Sequence, residues 1–557
     1  MCAETDQSRE TSPRCRFGAG FMVLAAVFAL LCGPLLFLHN GDIHVMRAAY
    51  CDSGSILDSV LAMLPREHFY NQHAGFHSST YGWTPNSILF LQFVGFKHIL
   101  GLGPTQHFPL YGAVARINNL AFSLAALAAF FLLAQRLFVR RGQALFLTVL
   151  AACFSRFITY GYQIHPEPAA LFFVLVSFHF LLNFLQAPWH RRPFFAAVFF
   201  AALGAMAKPP FGMALVCIGL AYLSVRHPIW REDIRALKDD GQTALASAGI
   251  VLGTMFTINP YLFLEFDLSQ SAVAWLYRTH HTAVLIGPLA NAVCWLQAVI
   301  WRDYVALIGC VAALVALFAF RRGRTPEERL VHLLALYTAG YMAWLLWFVT
   351  YPIESAYLYP VYSTLLLLSA AVGQRLGEAP DVCGRRWPRT RRLLTAGVVM
   401  AFVVQSACQC LDAACQWTAQ LTMKRGAPFV ARDLLLDLGQ KPWRVIYFPS
   451  IPIPEGYYPW VRNVCCYPQE GAELVGVMKD VAPDAIFIDY DFWDPPRVDE
   501  YVRVADALGL QHRRDMPGGA ARFGRQGCPN LASIPDCLRT IWHNIRCWTG
   551  RESGPPE

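Results

Sequence analysis

Ser87-Ile-Leu-Phe-Leu-Gln-Phe-Val-Gly-Phe-Lys-His-Ile-Leu-Gly-Leu102 is apolar enough to be taken for a membrane span, and whether it crosses decides the orientation of every helix after it. It is shorter than the ~20 apolar residues that cross ~30 Å of hydrocarbon. Gly95, Lys97 and His98 interrupt it, as expected of a helix lying at the interface. Basic residues give an independent answer. If the stretch does not cross, Arg14/Arg16, Arg136/Arg140/Arg141, Arg191/Arg192, Arg226/Arg231/Arg235, Arg321/Arg322/Arg324 and the run from Arg385 to Arg392 all fall on one side. If it crosses, they split between sides, against the rule that cytoplasmic loops collect Lys and Arg. The expectation is therefore a surface helix, a cytoplasmic N-terminus and an extracytoplasmic C-terminus.

The remainder of the chain fits a membrane protein. Of 557 residues, 55% are hydrophobic and only 15% charged, well below the quarter typical of soluble domains. Spans are expected at about 17–39, 110–138, 143–160, 165–186, 193–208, 210–225, 243–263, 302–320, 330–350, 356–374 and 392–412, roughly eleven helices. The first exceeds a signal-peptide core and has no small-residue cleavage pattern after it, so it reads as a retained helix. The formal charge of +8 lies in short clusters between spans and reads as topology signals, not as a nucleic-acid surface.

The division that follows is a cytoplasmic tail over 1–16, a transmembrane domain over 17–412 with its first external loop at 40–109, and an extracytoplasmic portion over 413–557. In that last portion strands are expected near 444–448, 485–489, 512 and 521–524, and helices near 468–481 and 497–508, which makes a small α/β domain. Cys32, Cys153, Cys217 and Cys310 lie in apolar spans as small hydrophobes. Cys465, Cys466, Cys528, Cys537 and Cys547 lie in the tail, where disulfides become available outside the cytoplasm. Asp489-Tyr490-Asp491 matches the short metal-holding pattern of nucleotide-sugar transferases, but nucleotide sugars are cytoplasmic and this segment is expected outside.

With the side fixed, the external mouth gathers Asp42, Asp52, Asp58, His165, Glu167, Lys208, Glu265, Asp267, His280, His281 and Glu354. Ionisable groups in or beside apolar helices are costly and usually mark function. Set against this, loop carboxylates are often merely solvated.

The order of these motifs resembles the GT-C superfamily of lipid-carrier-dependent glycosyltransferases, in particular the branch of protein O-mannosyltransferases and lipid A aminoarabinose transferases. The resemblance runs over about 17–412. It is carried by the acidic loop after the first helix, Ile164-His165-Pro166-Glu167-Pro168 at a helix start, Ala207-Lys208-Pro209-Pro210 between spans, Asn259-Pro260-Tyr261, and Glu354 through Tyr359-Pro360. This chain has a single acid, Asp52, where the family commonly has Asp-Glu. It has Glu167 where Asp is usual, and Glu354-Ser355-Ala356-Tyr357 where many relatives have Arg before Tyr.

The resemblance implies a helical bundle that moves a sugar from a polyprenyl-phosphate donor to a glycan, lipid or protein acceptor at the outer face of a bacterial inner membrane, or at the lumenal face of a eukaryotic one. Such a reaction needs a base for the acceptor hydroxyl and positive charge for the leaving phosphate. Asp52 is the candidate base by its place in the loop, with Asp42 next and Glu167 as a further catalytic acid. Asp52 also suits an N-cap for a helix over 53–64. Lys208 is the candidate phosphate contact, a point charge between two spans, and also reads as a lysine snorkelling at a helix end. Arg116, Arg278, Arg302, Glu354, Tyr357 and His165 are further candidate substrate contacts. His165 and Glu167 with His73 and His77 also suit a divalent metal ion, although no HExxH or Cys-His spacing occurs. A transporter or lipid flippase and a noncatalytic scaffold are the alternatives, and no internal repeat of the transporter kind is visible.

Overall fold

The computed structural model describes residues 18–38, 82–104, 107–138, 140–232, 236–260, 303–321, 323–348, 355–378 and 387–422, with shorter pieces within 56–64, 289–296, 443–447, 461–465 and 485–487 and a few single positions. Thirteen helices can be followed through these stretches. They are α1 (Ala19–Phe37), α2 (Trp83–His98), α3 (Phe108–Leu137), α4 (Arg141–Ala152), α5 (Ser155–Tyr162), α6 (Glu167–Gln186), α7 (Arg191–Ala207), α8 (Met213–Glu232), α9 (Ala236–Ile258), α10 (Tyr304–Ala319), α11 (Pro326–Phe348), α12 (Tyr359–Glu378) and α13 (Trp387–Thr422).

The bundle is apolar on the outside and carries polar groups within. Leu30 of α1, Leu245 of α9, Phe318 of α10 and Leu393 of α13 are all exposed, whereas Arg116, Asn119, Glu167, Asp303 and Gln409 are buried. Apolar side chains facing outward on so many helices are explained by lipid as solvent. Among the described residues seven helices are long and apolar enough to cross a membrane, or eight if one bent pair is a single span. The chain is a helical, multi-pass membrane protein.

The expected count of about eleven spans is larger, and the difference has local causes. The span expected at 143–160 is two helices, α4 and α5, meeting at 68°. Phe154 takes an extended backbone between them and its ring stacks on Tyr362, with centroids 4.0 Å apart. The Ser155 N–H that the break leaves without a helical partner donates to Gln409 Oε1 at 3.2 Å. The spans expected at 193–208, 302–320 and 356–374 are helices too, but α7 has 17 residues and α10 has 16, and α12 carries Ser363, Thr364, Gln374 and Arg375.

The core lies among α3, α6, α7, α10, α11 and α12. Helices α6 and α7 approach closely because Gly204 is small: a Cβ there would stand 3.0 Å from Val174 Cγ2 and 3.3 Å from the Ala170 carbonyl. A smaller cluster joins α2 to α3, with Phe93 packed edge-on against Tyr111 at 4.6 Å and Ile56, Leu57, Val60 and Leu64 of the first loop filling the space beside them. The lysine that interrupts the apolar run of α2 belongs to this cluster, for Lys97 Nζ donates to the Leu64 carbonyl at 3.1 Å.

In the C-terminal portion the described residues include three short strands, β1 (Trp443–Tyr447), β2 (Val461–Cys465) and β3 (Ala485–Phe487). They form a parallel sheet in the order β2-β1-β3, with Val445 opposite both Asn463 and Ala485. β1 and β3 coincide with expected strands, and β2 was not anticipated. The expected helix at 468–481 and the strands near 512 and 521–524 lie outside the described residues, as does the expected helix at 497–508 apart from the single helical position Arg503. Helix α13 continues past 412, the expected end of the membrane domain, to Thr422.

Candidate functional site

Helices α6 and α7 run antiparallel, so the first residue of one and the residue after the last of the other meet at one end of the bundle. Pro166 and Pro168 bracket Glu167 and start α6 there, since a proline in a first turn sacrifices no helical hydrogen bond. Lys208 takes an extended conformation directly after α7, and Pro209 and Pro210 then turn the chain into a short 3-10 helix.

Glu167 is buried, and each of its carboxylate oxygens is engaged. Lys208 Nζ donates to Oε1 and forms an ion pair, while His165 Nδ1 donates to Oε2. An ionised carboxylate only accepts, which fixes Nδ1 as the donor on His165. The ring of His165 stacks on Tyr160, with centroids 4.0 Å apart and planes at 8°. Asn119 Nδ2 donates to the carbonyls of Tyr160 at 3.1 Å and His165 at 3.0 Å, tying the loop between α5 and α6 to α3. The Tyr160 ring lies 5.2 Å from that of Tyr359 at the start of α12. Buried charge is tolerable here because it is paired and hydrogen-bonded on both oxygens. The Lys208 side chain is 25% exposed against 2% for Glu167, so the cation faces outward and the anion inward.

Of the sequence candidates, the structure brings His165, Glu167 and Lys208 together. Tyr357 lies in the short 3-10 helix Ser355–Leu358 that leads into α12; its carbonyl accepts from Tyr341 Oη at 2.8 Å and its ring lies 6.4 Å from Trp295. Arg116 is completely buried on α3, and its Nη1 donates to the carbonyls of Leu35 at 2.7 Å and Leu38 at 2.6 Å. It closes the C-terminal end of α1, where carbonyls lack helical partners. Asp42, Asp52, Asp58, Arg278, Arg302, Glu354, His73 and His77 lie outside the described residues. Among the described residues no group of three or more His, Cys, Asp or Glu is placed to hold a metal ion. Cys32, Cys153, Cys217, Cys310 and Cys410 are free thiols.

Two features escaped the sequence reading. Tyr160, which stacks on the His165 ring, and Tyr359, which packs against Tyr160, are indistinguishable in sequence from the many other aromatics of the chain. A polar seam on α13, made of Gln405, Gln409, Asp412 and Gln416, did leave a signal: polar residues recur at helical spacing in an apolar helix. Gln409 Nε2 donates to Asp303 Oδ2 at 3.3 Å, and Asp303 Oδ1 accepts from the Ala306 N–H at 2.9 Å as the N-cap of α10. Gln416 accepts from Thr159 Oγ1 at 3.1 Å and donates to Asp412 at 3.2 Å.

No protein-family model matches this chain, and no curated protein matches it in sequence.

Proposed function

We propose that this chain is an integral-membrane glycosyltransferase that moves a sugar from a polyprenyl-phosphate donor to a glycan, lipid or protein acceptor on the extracytoplasmic face. The observation that carries the reading is the buried Glu167 held between His165 and Lys208 at one end of an apolar bundle. In the reaction the acceptor hydroxyl attacks the anomeric carbon, the bond from that carbon to the phosphate oxygen breaks, and the phosphate departs with its charge. Lys208, turned outward and anchored from behind by Glu167, is positioned to offset that charge. Glu167 then serves to orient Lys208 and His165, and Asp52 in the first loop takes the acceptor proton. The motif order along 17–412 supports a GT-C-like arrangement of about eleven spans. The basic clusters support a cytoplasmic N-terminus, and the three parallel strands are consistent with a small extracytoplasmic α/β domain. A bacterial inner membrane is the placement this reading favours.

A specific observation favours a second reading, a transporter or lipid flippase. The break between α4 and α5, with Asp303, Gln409 and Asp412 buried beside it, is the kind of interrupted helix and intramembrane polar group that transporters use.

One experiment separates the two. Purified protein is incubated with radiolabelled polyprenyl-phosphate sugars and a panel of glycan, lipid and peptide acceptors. Transfer that disappears in Asp52→Asn at normal expression is the expected result. No transfer from any donor, with uptake or lipid scrambling in vesicles, would establish the transporter instead.

A further inference from the structure

Three helix ends meet beside Lys208. The N-cap of α2 is Gly82, in the left-handed conformation at φ 83° and ψ 13°, and its N–H donates to the Ala207 carbonyl at 2.8 Å. Thr84 Oγ1 donates to the Leu203 carbonyl at 2.9 Å and Ser87 Oγ to the Ile258 carbonyl at 3.1 Å. The start of α2 is thereby fastened to the ends of α7 and α9. The residues that directly follow those two ends are Lys208 and Asn259. No side chain caps the first turn of α2.

Among the described residues, three side-chain amide atoms at this junction make no hydrogen bond. Asn86 is 2% exposed and its Nδ2 makes no hydrogen bond; it lies over the N-cap, 3.2 Å from where a Cβ on Gly82 would stand. Asn259 is 1% exposed and neither its Oδ1 nor its Nδ2 is bonded. Buried polar groups are nearly always paired, and leaving one unpaired lowers stability. Two such amides beside the one cation of the Glu167 pair call for a ligand that pairs them.

Their chemistry selects its class. The unpaired atoms are two donors and one acceptor, all uncharged. A phosphate would match the donors but would set its negative oxygens against Asn259 Oδ1. Hydroxyl groups, which each donate and accept, satisfy all three. We infer that Asn86 and Asn259 bind hydroxyls of the sugar on the carrier lipid and discriminate among sugars, while Lys208 holds the phosphate. The inference rests on the transferase reading and assigns the part of the donor that Lys208 does not reach.

The test uses full-length protein in detergent micelles, with Kd measured for bare polyprenyl phosphate and for polyprenyl phosphate carrying a hexose or a pentose. Wild type is expected to prefer one sugar-bearing lipid. Asn86→Leu and Asn259→Leu each lose about tenfold in affinity for it, the scale of one hydrogen bond to a ligand, with bare-lipid affinity unchanged. Lys208→Ala weakens both lipids. Leucine variants that bind the sugar-bearing lipid as wild type does, or a wild type without preference, overturn the inference. The ligand-free melting temperature gives a second readout: removing an unpaired buried amide raises it, and a fall in both variants shows that the amides are paired within the protein and overturns the inference too. Sugar-lipid binding through the two asparagines without transfer to any acceptor would sink the transferase reading alone.

Discussion

Lys208 and Glu167, 41 residues apart, form an ion pair in which the carboxylate is buried and the ammonium reaches partly to the surface. Breaking such a pair by removing one partner leaves a buried charge uncompensated, at a cost of about 3–5 kcal/mol. Lys208→Met and Glu167→Gln are each expected to lower thermal stability by an amount near the bottom of that range, because Lys208 retains some solvent. The double variant Lys208→Met/Glu167→Gln recovers part of the loss, since neither charge is then stranded. Thermal melts of the four proteins measure the coupling directly. Additive losses would mean that the two groups do not sense each other.

Arg116 makes a different prediction from the one its charge invites. Its Nη1 is engaged with the Leu35 and Leu38 carbonyls at the end of α1, a helix that already forgoes one bond at Pro34. Arg116→Leu is expected to cost about 2–3 kcal/mol in the absence of any lipid, the range for hydrogen bonds from a charged group. Arg116→Lys recovers little, as an ammonium on a shorter stem falls short of the position from which Nη1 donates to both carbonyls. A melt unchanged by Arg116→Leu would return Arg116 to the role of a head-group contact.

How far the sequence led can be judged from particular residues. Helix positions were legible because each span is a long apolar run with basic residues near one end, a pattern that survives without knowledge of neighbours. The break at Phe154 was not, because both sides of it are apolar and the group that satisfies it, Gln409, is 254 residues away from Ser155. His165, Glu167 and Lys208 stood out as charged or titratable residues at span ends, and the antiparallel pairing of α6 and α7 brings them together. Arg116 stood out equally well, yet burial against α1 gives it structural work that composition does not reveal. Asn119 is a polar residue within an apolar span, and only the fold shows that it ties down both Tyr160 and His165.

Gln409 bridges two helix starts, accepting from Ser155 N–H and donating to the N-cap carboxylate Asp303. Gln409→Leu strands one buried donor and weakens the hold on one buried acceptor, and about 2–4 kcal/mol of destabilisation follows from two such losses. Gln409→Glu keeps the shape but sets a second carboxylate against Asp303, and is expected to be at least as harmful. Denaturation of the purified variants reads both effects; a neutral Gln409→Leu would show that water or rearrangement replaces the bridge.

Orientation turns on α2, and three glycines allow it to be measured. A side chain at Gly18, Gly103 or Gly142 meets nothing within 4 Å, so cysteine fits at each without a clash. Gly18 precedes α1, Gly103 lies between α2 and α3, and Gly142 sits at the start of α4. If α2 does not cross, α1 and α3 are the only spans among the described residues between these points, which puts Gly18 and Gly142 in the cytoplasm and Gly103 outside. If α2 crosses, Gly103 moves to the side of Gly18 and Gly142 to the other. A membrane-impermeant maleimide applied to intact cells, with wild-type labelling subtracted, is expected to mark Gly103→Cys, and to mark Gly18→Cys and Gly142→Cys only after permeabilisation. Labelling of Gly142→Cys but not Gly103→Cys in intact cells would make α2 a span. It would also divide the basic clusters between the two faces and carry Lys208 and Glu167 to the cytoplasmic side, where the proposed donor geometry fails.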